Sequence, residues 1–243
     1  MVRALGIGVL ALLSVLLLGA CTSSTSATPT VEATPSPSAL QILQRASEKM
    51  TALKSAHFTM ADEGETSAKF FGMTFQSMEG EIRLPDSFSV SVEAVTSLGF
   101  FKVNIVAAQG QAFMGDIFVK DDWNPIPFAD LPFNFANLPF TLSSIVPAIQ
   151  DPVVTGVEEV GGEPSWRIEG IVSSETLKTL VTGADEGFRV ALQIWIGQDE
   201  HLLRKIGIRG QVFEQDSPGV VRVLNIDRFD KPVEIVLPET STQ

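Results

Sequence analysis

The sequence predicts an α+β fold: an antiparallel β-sheet with one apolar face, covered by a long amphipathic helix near the N-terminus. Three observations carry this. Apolar residues recur every three or four positions between Ser38 and Lys54, they switch to every second position from Phe58 onward, and short turn signals separate the alternating runs. A sheet that is apolar on one side must bury that side against a helix or a ligand.

The chain begins with Met1-Val2-Arg3, followed by an uncharged apolar run from Ala4 to Leu18. This is the n-region and h-region of a secretory signal peptide, expected over residues 1–20. A membrane-spanning helix needs about 20 apolar residues, and the sequence turns polar directly after Cys21. Cys21 is the only cysteine, so it has no partner in the chain for a disulfide and no company for a metal site. Leu18-Gly19-Ala20-Cys21 resembles the bacterial lipobox, whose cysteine is acylated and becomes the new N-terminus. Cys21 is thus the expected lipidation site, and the membrane is a partner through N-terminal acyl chains. The mature protein is expected on the extracytoplasmic face of the cell membrane.

Residues 21–37 read as a Ser/Thr/Pro tether, too poor in large apolar residues to fold. Extended at about 3.1 Å per residue, it reaches roughly 50 Å. Residues 38–238 are the expected folded domain, and 239–243 a tail.

Ser38 is the expected N-cap of a helix over about 38–54, with Leu40, Leu43, Ala46, Met50 and Leu53 on one face. Strands follow. Phe58 and Met60 alternate with polar residues, as do Phe88, Val90, Val92 and Ala94, then Phe101, Val103 and Ile105, and most cleanly Val190, Leu192, Ile194 and Ile196 after Phe188. Such runs suit an antiparallel sheet covered on one side. Turn signals fall at Leu84-Pro85-Asp86, Ala108-Gln109-Gly110, Val160-Gly161-Gly162, Gly197 to Glu200 and Asp216 to Gly219. Shorter helical patches are expected around 138–149 and 174–181. The stretch from Trp123 to Pro139 mixes prolines with large aromatics, which argues against regular structure; it is too apolar for an ordinary loop. It reads as a lid, with Phe128, Phe133, Phe135 and Phe140 as its apolar contacts, or as a loop packed flat on the core.

Seventeen Lys and Arg against twenty-nine Asp and Glu give a formal charge of −12, which argues against nucleic acid as a partner. There are sixteen Phe and no Tyr, a choice that supplies apolar area without a hydroxyl to satisfy. Recognisable catalytic motifs are lacking: no nucleophile elbow, no H-E-x-x-H and no P-loop. His57 and His201 read as structural or solvated, and Asp121-Asp122 and Glu158-Glu159 as charged turns. No enzyme activity, cofactor or metal is expected.

Three stretches carry a resemblance: Trp166 to Val172, Leu192 to Ile196 running into His201 to Ile206, and Asp227 to Val233, with Ser55-Ala56-His57-Phe58 after the helix. Together they resemble the LppX/LprAFG family of bacterial lipoproteins, whose fold is similar to that of the LolA/LolB carriers. The resemblance implies a strongly curved antiparallel half-barrel closed by helices around an apolar cavity. The cavity binds a lipid or acylated glycolipid, and an export transporter is a candidate partner. The strand alternation then assigns the expected lipid-facing residues: Phe58, Met60, Phe88, Val90, Val92, Phe101, Val103, Ile105, Phe113, Val190, Leu192 and Ile194. The expected function is carriage of an amphiphile within the cell envelope. The alternative is an envelope interaction or sensor protein whose apolar groove holds a protein partner.

The position of Cys21 yields a direct test. Cys21→Ser should shift the protein from the membrane fraction to the soluble fraction, or leave it with an uncleaved signal. Membrane retention of a correctly processed Cys21→Ser chain would exclude the anchor.

Overall fold

The computed structural model describes residues 37–63, 68–119, 122–131, 135–181 and 183–238. The expected signal peptide, Cys21, most of the tether, Phe133 and the tail lie outside the described residues, and for Phe135 only the backbone is described.

Helix α1 spans Ala39–Thr51. Ser38 caps it as the sequence predicts: its Oγ accepts from the N–H of Gln41 at 3.3 Å while Gln41 Oε1 accepts from the N–H of Ser38 at 3.0 Å. The buried face is Ala39, Ile42, Leu43, Ala46 and Met50. Leu40, expected on that face, is exposed instead, and Ile42 takes its place. The stripe is rotated by part of a turn because α1 packs against several elements at once.

Twelve strands form one antiparallel sheet. They are β1 (Ser55–Glu63), β2 (Lys69–Phe70), β3 (Met73–Arg83), β4 (Ser87–Thr96), β5 (Gly99–Ala108), β6 (Gln111–Gly115), β7 (Trp123–Pro125), β8 (Gln150–Val160), β9 (Glu163–Ser173), β10 (Arg189–Gly197), β11 (Leu203–Arg209) and β12 (Val221–Asp227). The order across the sheet is β7-β6-β5-β4-β3-β1-β12-β11-β10-β9-β8, with the short β2 paired to β3. Two runs of hairpins therefore spread outward from a central pair, β1 and β12, which come from opposite ends of the domain.

Among the described residues one connection crosses from edge to edge, the segment between β7 and β8. It is built of a 3-10 turn at Phe128–Asp130, a second at Phe135–Phe140 and a short helix α2 at Thr141–Ile145. The sequence predicts one helix over 138–149; Pro139 lies inside the second 3-10 turn, and the regular α-helix begins after it. The patch predicted helical at 174–181 is likewise a 3-10 segment, Ser174–Thr179. The described residues of Trp123 to Pro139 hold more regular structure than predicted, since they contribute edge strand β7, three residues long and ending in proline. A short, proline-terminated edge discourages pairing with another chain.

One apolar cluster holds α1, α2, the crossing segment and one face of the sheet from β1 to β12. We call this the inner face. Close packing there is visible at Gly80 on β3, where a Cβ would stand 2.4 Å from the carbonyl oxygen of Ser89 and 3.1 Å from the ring of Phe58. Phe58 occupies the room that the absent side chain leaves. Gly80→Val should therefore lower stability by about 1–3 kcal/mol, the usual cost of overpacking, as read by chemical denaturation. A wild-type midpoint would show that the two strands separate easily here.

Candidate functional site

Residues directly opposed in neighbouring antiparallel strands project to the same face. Following the register from strand to strand traces one row: Val103, Val92, Met78, Met60, Leu224, Ile206, Ile194, Ile168 and Val154. The row crosses β5, β4, β3, β1, β12, β11, β10, β9 and β8 without one polar side chain. At about 4.8 Å between strands it extends roughly 38 Å along the sheet. A second row, Ile105, Val90, Gly80, Phe58 and Ile226, runs beside it.

Ten of the twelve expected lipid-facing residues lie on this face and are buried in its cluster: Phe58, Met60, Phe88, Val90, Val92, Val103, Ile105, Val190, Leu192 and Ile194. Phe101 shares the face, opposite Ala94, but is only half-buried and makes an edge contact with Phe118. Phe113 is a correction. It pairs with Val106, which in turn opposes Ser89, so its ring lies on the outer face; Ala112 and Met114 are the β6 residues that point inward. Alternation within β6 allows either parity, and the register of β6 against β5 selects the neighbours of Phe113.

The cover of the inner face has two parts. Helix α1 contacts β8 and β10 and packs on α2, while the second 3-10 turn contacts β3, β4 and α1. Leu131, Leu138, Leu142 and Ile145 of the crossing segment enter the core. Of the expected lid residues, Phe128 is partly exposed and stacks edge-on against Phe88 at 6.4 Å, and Phe140 is partly exposed at the junction with α2. The described residues of this cover and of the inner face form one apolar cluster. Two clefts of about 310 and 480 Å³ open on the outer face, lined chiefly by polar side chains such as Ser77, Glu93, Lys102 and Asn225 in one and Arg189, Gln193, Glu169 and Arg209 in the other.

One end of the inner face is closed by charge. Asp62 and Arg222 oppose each other where the alternation of Phe58 and Met60, and of Ile226 and Leu224, would place apolar residues. Arg222 donates to both carboxylate oxygens of Asp216 at 2.6 and 2.7 Å and pairs with Asp62 through Nε at 3.1 Å. Asp216 also accepts the N–H groups of Val212 and Phe213, each at 3.0 Å. Burial pushes the Asp216 carboxyl up, but the bonds and charge of Arg222 and these two N–H groups prevail and hold it below its ordinary value. The sequence reading gives Asp216 only as the first residue of a turn, with no role for its carboxylate. The signal that could have found this cluster is a charge at an apolar parity position in two strands.

The outer face has its own ordered cluster. Trp195 lies between Arg167 and Lys205, at 5.7 and 4.7 Å from its ring centre, and donates to Glu158 at 2.9 Å. Glu158, expected in a turn, sits instead on β8, its carboxyl held low first by the Trp195 hydrogen bond and then by Arg167. His57 pairs with Asp227 at 2.6 Å, and His201 packs beside Trp166. Among the described residues no three His, Cys, Asp or Glu side chains are grouped to hold a metal ion, and no helix is long and apolar enough to cross a membrane.

The sequence profile of the LppX_LprAFG lipoprotein family matches residues 38–235. The chain belongs to this family. Its fold is similar to that of LprF from Mycobacterium bovis, at 17% identity and a TM-score of 0.65, covering 84% of this chain and 98% of that one. It is also similar to the Mycobacterium tuberculosis lipoprotein LppX, at 16% identity and a TM-score of 0.57, covering 82% and 98%. No curated protein matches by sequence. In this LppX_LprAFG lipoprotein the described residues form an open twelve-stranded sheet with few helices, and its apolar inner face is where the candidate site lies.

The buried ionic cluster predicts a pH response. Because the folded-state pKa of Asp216 is depressed, its contribution to stability is complete above the unfolded-state value of about 3.9 and is lost as pH falls through the lower folded value. Arg222→Leu leaves two buried carboxylates without their cation and should cost about 3–5 kcal/mol at neutral pH. The deficit should shrink in acid, as followed by denaturation at a series of pH values. An equal deficit at all pH values would assign Arg222 a packing role only.

Proposed function

We propose that this lipoprotein carries a lipid or acylated glycolipid within the cell envelope, held with its acyl chains against the inner face and tethered to the membrane through Cys21. The observation that carries the reading is the unbroken apolar row across nine strands, together with how little regular structure covers it. A 13-residue helix is about 20 Å long, against a row of roughly 38 Å. Over β3 and β4 the cover is a 3-10 turn, whose hydrogen bonds are poorer than those of an α-helix.

Ligand entry in this proposal displaces the crossing segment, with Phe128 and Phe140 at its margin, and exchanges protein–protein for protein–lipid contact. A sixteen-carbon chain represents on the order of 13 kcal/mol of apolar burial at about 0.8 kcal/mol per CH₂. That is large enough to offset the opening of a few apolar side chains, and it explains why an amphiphile needs a carrier to leave a bilayer. No covalent step is involved. Membership of a lipoprotein family and the fold shared with LprF and LppX support the reading.

The test is solvent extraction of the purified chain followed by mass spectrometry, with Val90→Trp in parallel. Wild-type protein should yield stoichiometric lipid. Val90→Trp, between Gly80 and Ile105, adds bulk at the centre of the inner face; it should reduce lipid per protein and cost about 1–3 kcal/mol of stability while the folded protein keeps its circular dichroism. Protein that takes up no lipid when offered it, and whose inner face instead captures a peptide segment, would replace carriage with a partner-binding role.

A further inference from the structure

Three neighbouring turns at one end of the sheet expose large apolar side chains. The β2–β3 turn carries Phe71, the β4–β5 turn carries Leu98 with Phe100 just beyond it at the start of β5, and the β6–β7 loop carries Phe118 and Val119. Leu98, Phe100 and Phe118 are 83%, 82% and 77% exposed, more than any other large apolar residue described. The register places the turns side by side, since Thr74 opposes Val95 and Thr96 opposes Gly99, and Phe101 touches Phe118 across β5 and the β6–β7 loop.

These side chains are held outward by polar turns. Thr96 Oγ1 accepts from the N–H of Leu98 at 3.0 Å, and Asp116 Oδ1 accepts from those of Phe118 and Val119 at 2.7 and 2.8 Å. Phe71 stands at φ +47°, a left-handed position in a two-residue turn where Asn or Gly is the usual choice. One side of its ring packs edge-on against the buried Phe70 at 4.8 Å, and the other side is exposed.

We propose that these three turns dip into the surface of a lipid bilayer and seat the end of the sheet on it. The apolar groups protrude from separate tips instead of forming a flat patch, and the most exposed of them are Phe and Leu, side chains that insert at the headgroup–acyl boundary. The chain's formal charge of −12 gives no attraction to anionic lipid, so the contact is apolar insertion. The choice of a bilayer as occupant rests on the carrier reading: a protein that exchanges acyl chains with a membrane needs a way to lie against it. The turns provide such a contact independently of the N-terminal anchor.

Residues 37–243 test this, because the buried apolar residues described run from Ala39 to Ile235 and the fragment lacks Cys21. It should float with phosphatidylcholine vesicles in a density gradient, to the same extent at low and high salt. Leu98→Ser, Phe100→Ser and Phe118→Ser should each weaken partitioning by about tenfold with unchanged circular dichroism. Leu98→Trp should show a blue-shifted emission on adding vesicles. Absence of flotation, flotation insensitive to all three serine variants, or no emission shift would overturn the proposal. So would self-association of the wild-type fragment that the serine variants abolish, which would mean that the tips cover a second copy. A fragment that floats through these residues yet yields no lipid on extraction upholds the docking surface and removes the carrier reading alone.

Discussion

The inner face of the sheet is apolar from one hairpin arm to the other, and everything else in the molecule follows from the need to keep water off it. A row of nine apolar side chains, from Val103 on β5 to Val154 on β8, is too long for α1 to shield. The solution lies in the topology. The edge-to-edge connection runs across the face, so the segment that links the two hairpin arms is also their second cover. A connection over solvent would have left half the row exposed.

Dense packing on this face relies on missing side chains as much as on present ones. Gly80 leaves room for the ring of Phe58, and at Gly170 a Cβ would stand 2.6 Å from the side chain of Ile149, which enters from the end of the crossing segment. At the end of the face the apolar rows stop at Asp62, Arg222 and Asp216, a cluster in which the bidentate Arg222–Asp216 pair and two backbone N–H groups satisfy the buried charge. The outer face is stabilised differently, by Trp195 lying between two cations and bonded to Glu158. The sheet therefore has one face adapted to apolar contact and another adapted to water, with little exchange between the two chemistries.

The division bears on function. A cover made of one helix, one short helix and two 3-10 turns, joined by loops, is less cooperative than a second sheet would be, and its contacts with the face are apolar and non-directional. An acyl chain offers the face equivalent contacts. In the proposed carrier role the row exchanges protein contacts for lipid contacts, and the proposed docking tips at one end of the sheet give that exchange a place to occur.

Much of this was legible in the sequence. The cap at Ser38, the α1 stripe, the alternation in β4 and β10 and the turns between strands are local, set by spacings of two to four residues and by backbone preferences of Gly, Pro and Asp. The family was legible as well, through the stretches after Trp166, Leu192 and Asp227. What only the tertiary structure decided are the relations between distant strands. The pairing of β1 with β12 joins residues some 160 positions apart and creates the Asp62–Arg222 contact; the register of β6 turns Phe113 outward and Ala112 inward; and the exposure of Leu98, Phe100 and Phe118 appears only once neighbouring turns are brought together at one end. The physical reason is the two-residue period of a strand: it states that two faces exist, and the pairing of one strand with the next decides which of them is buried.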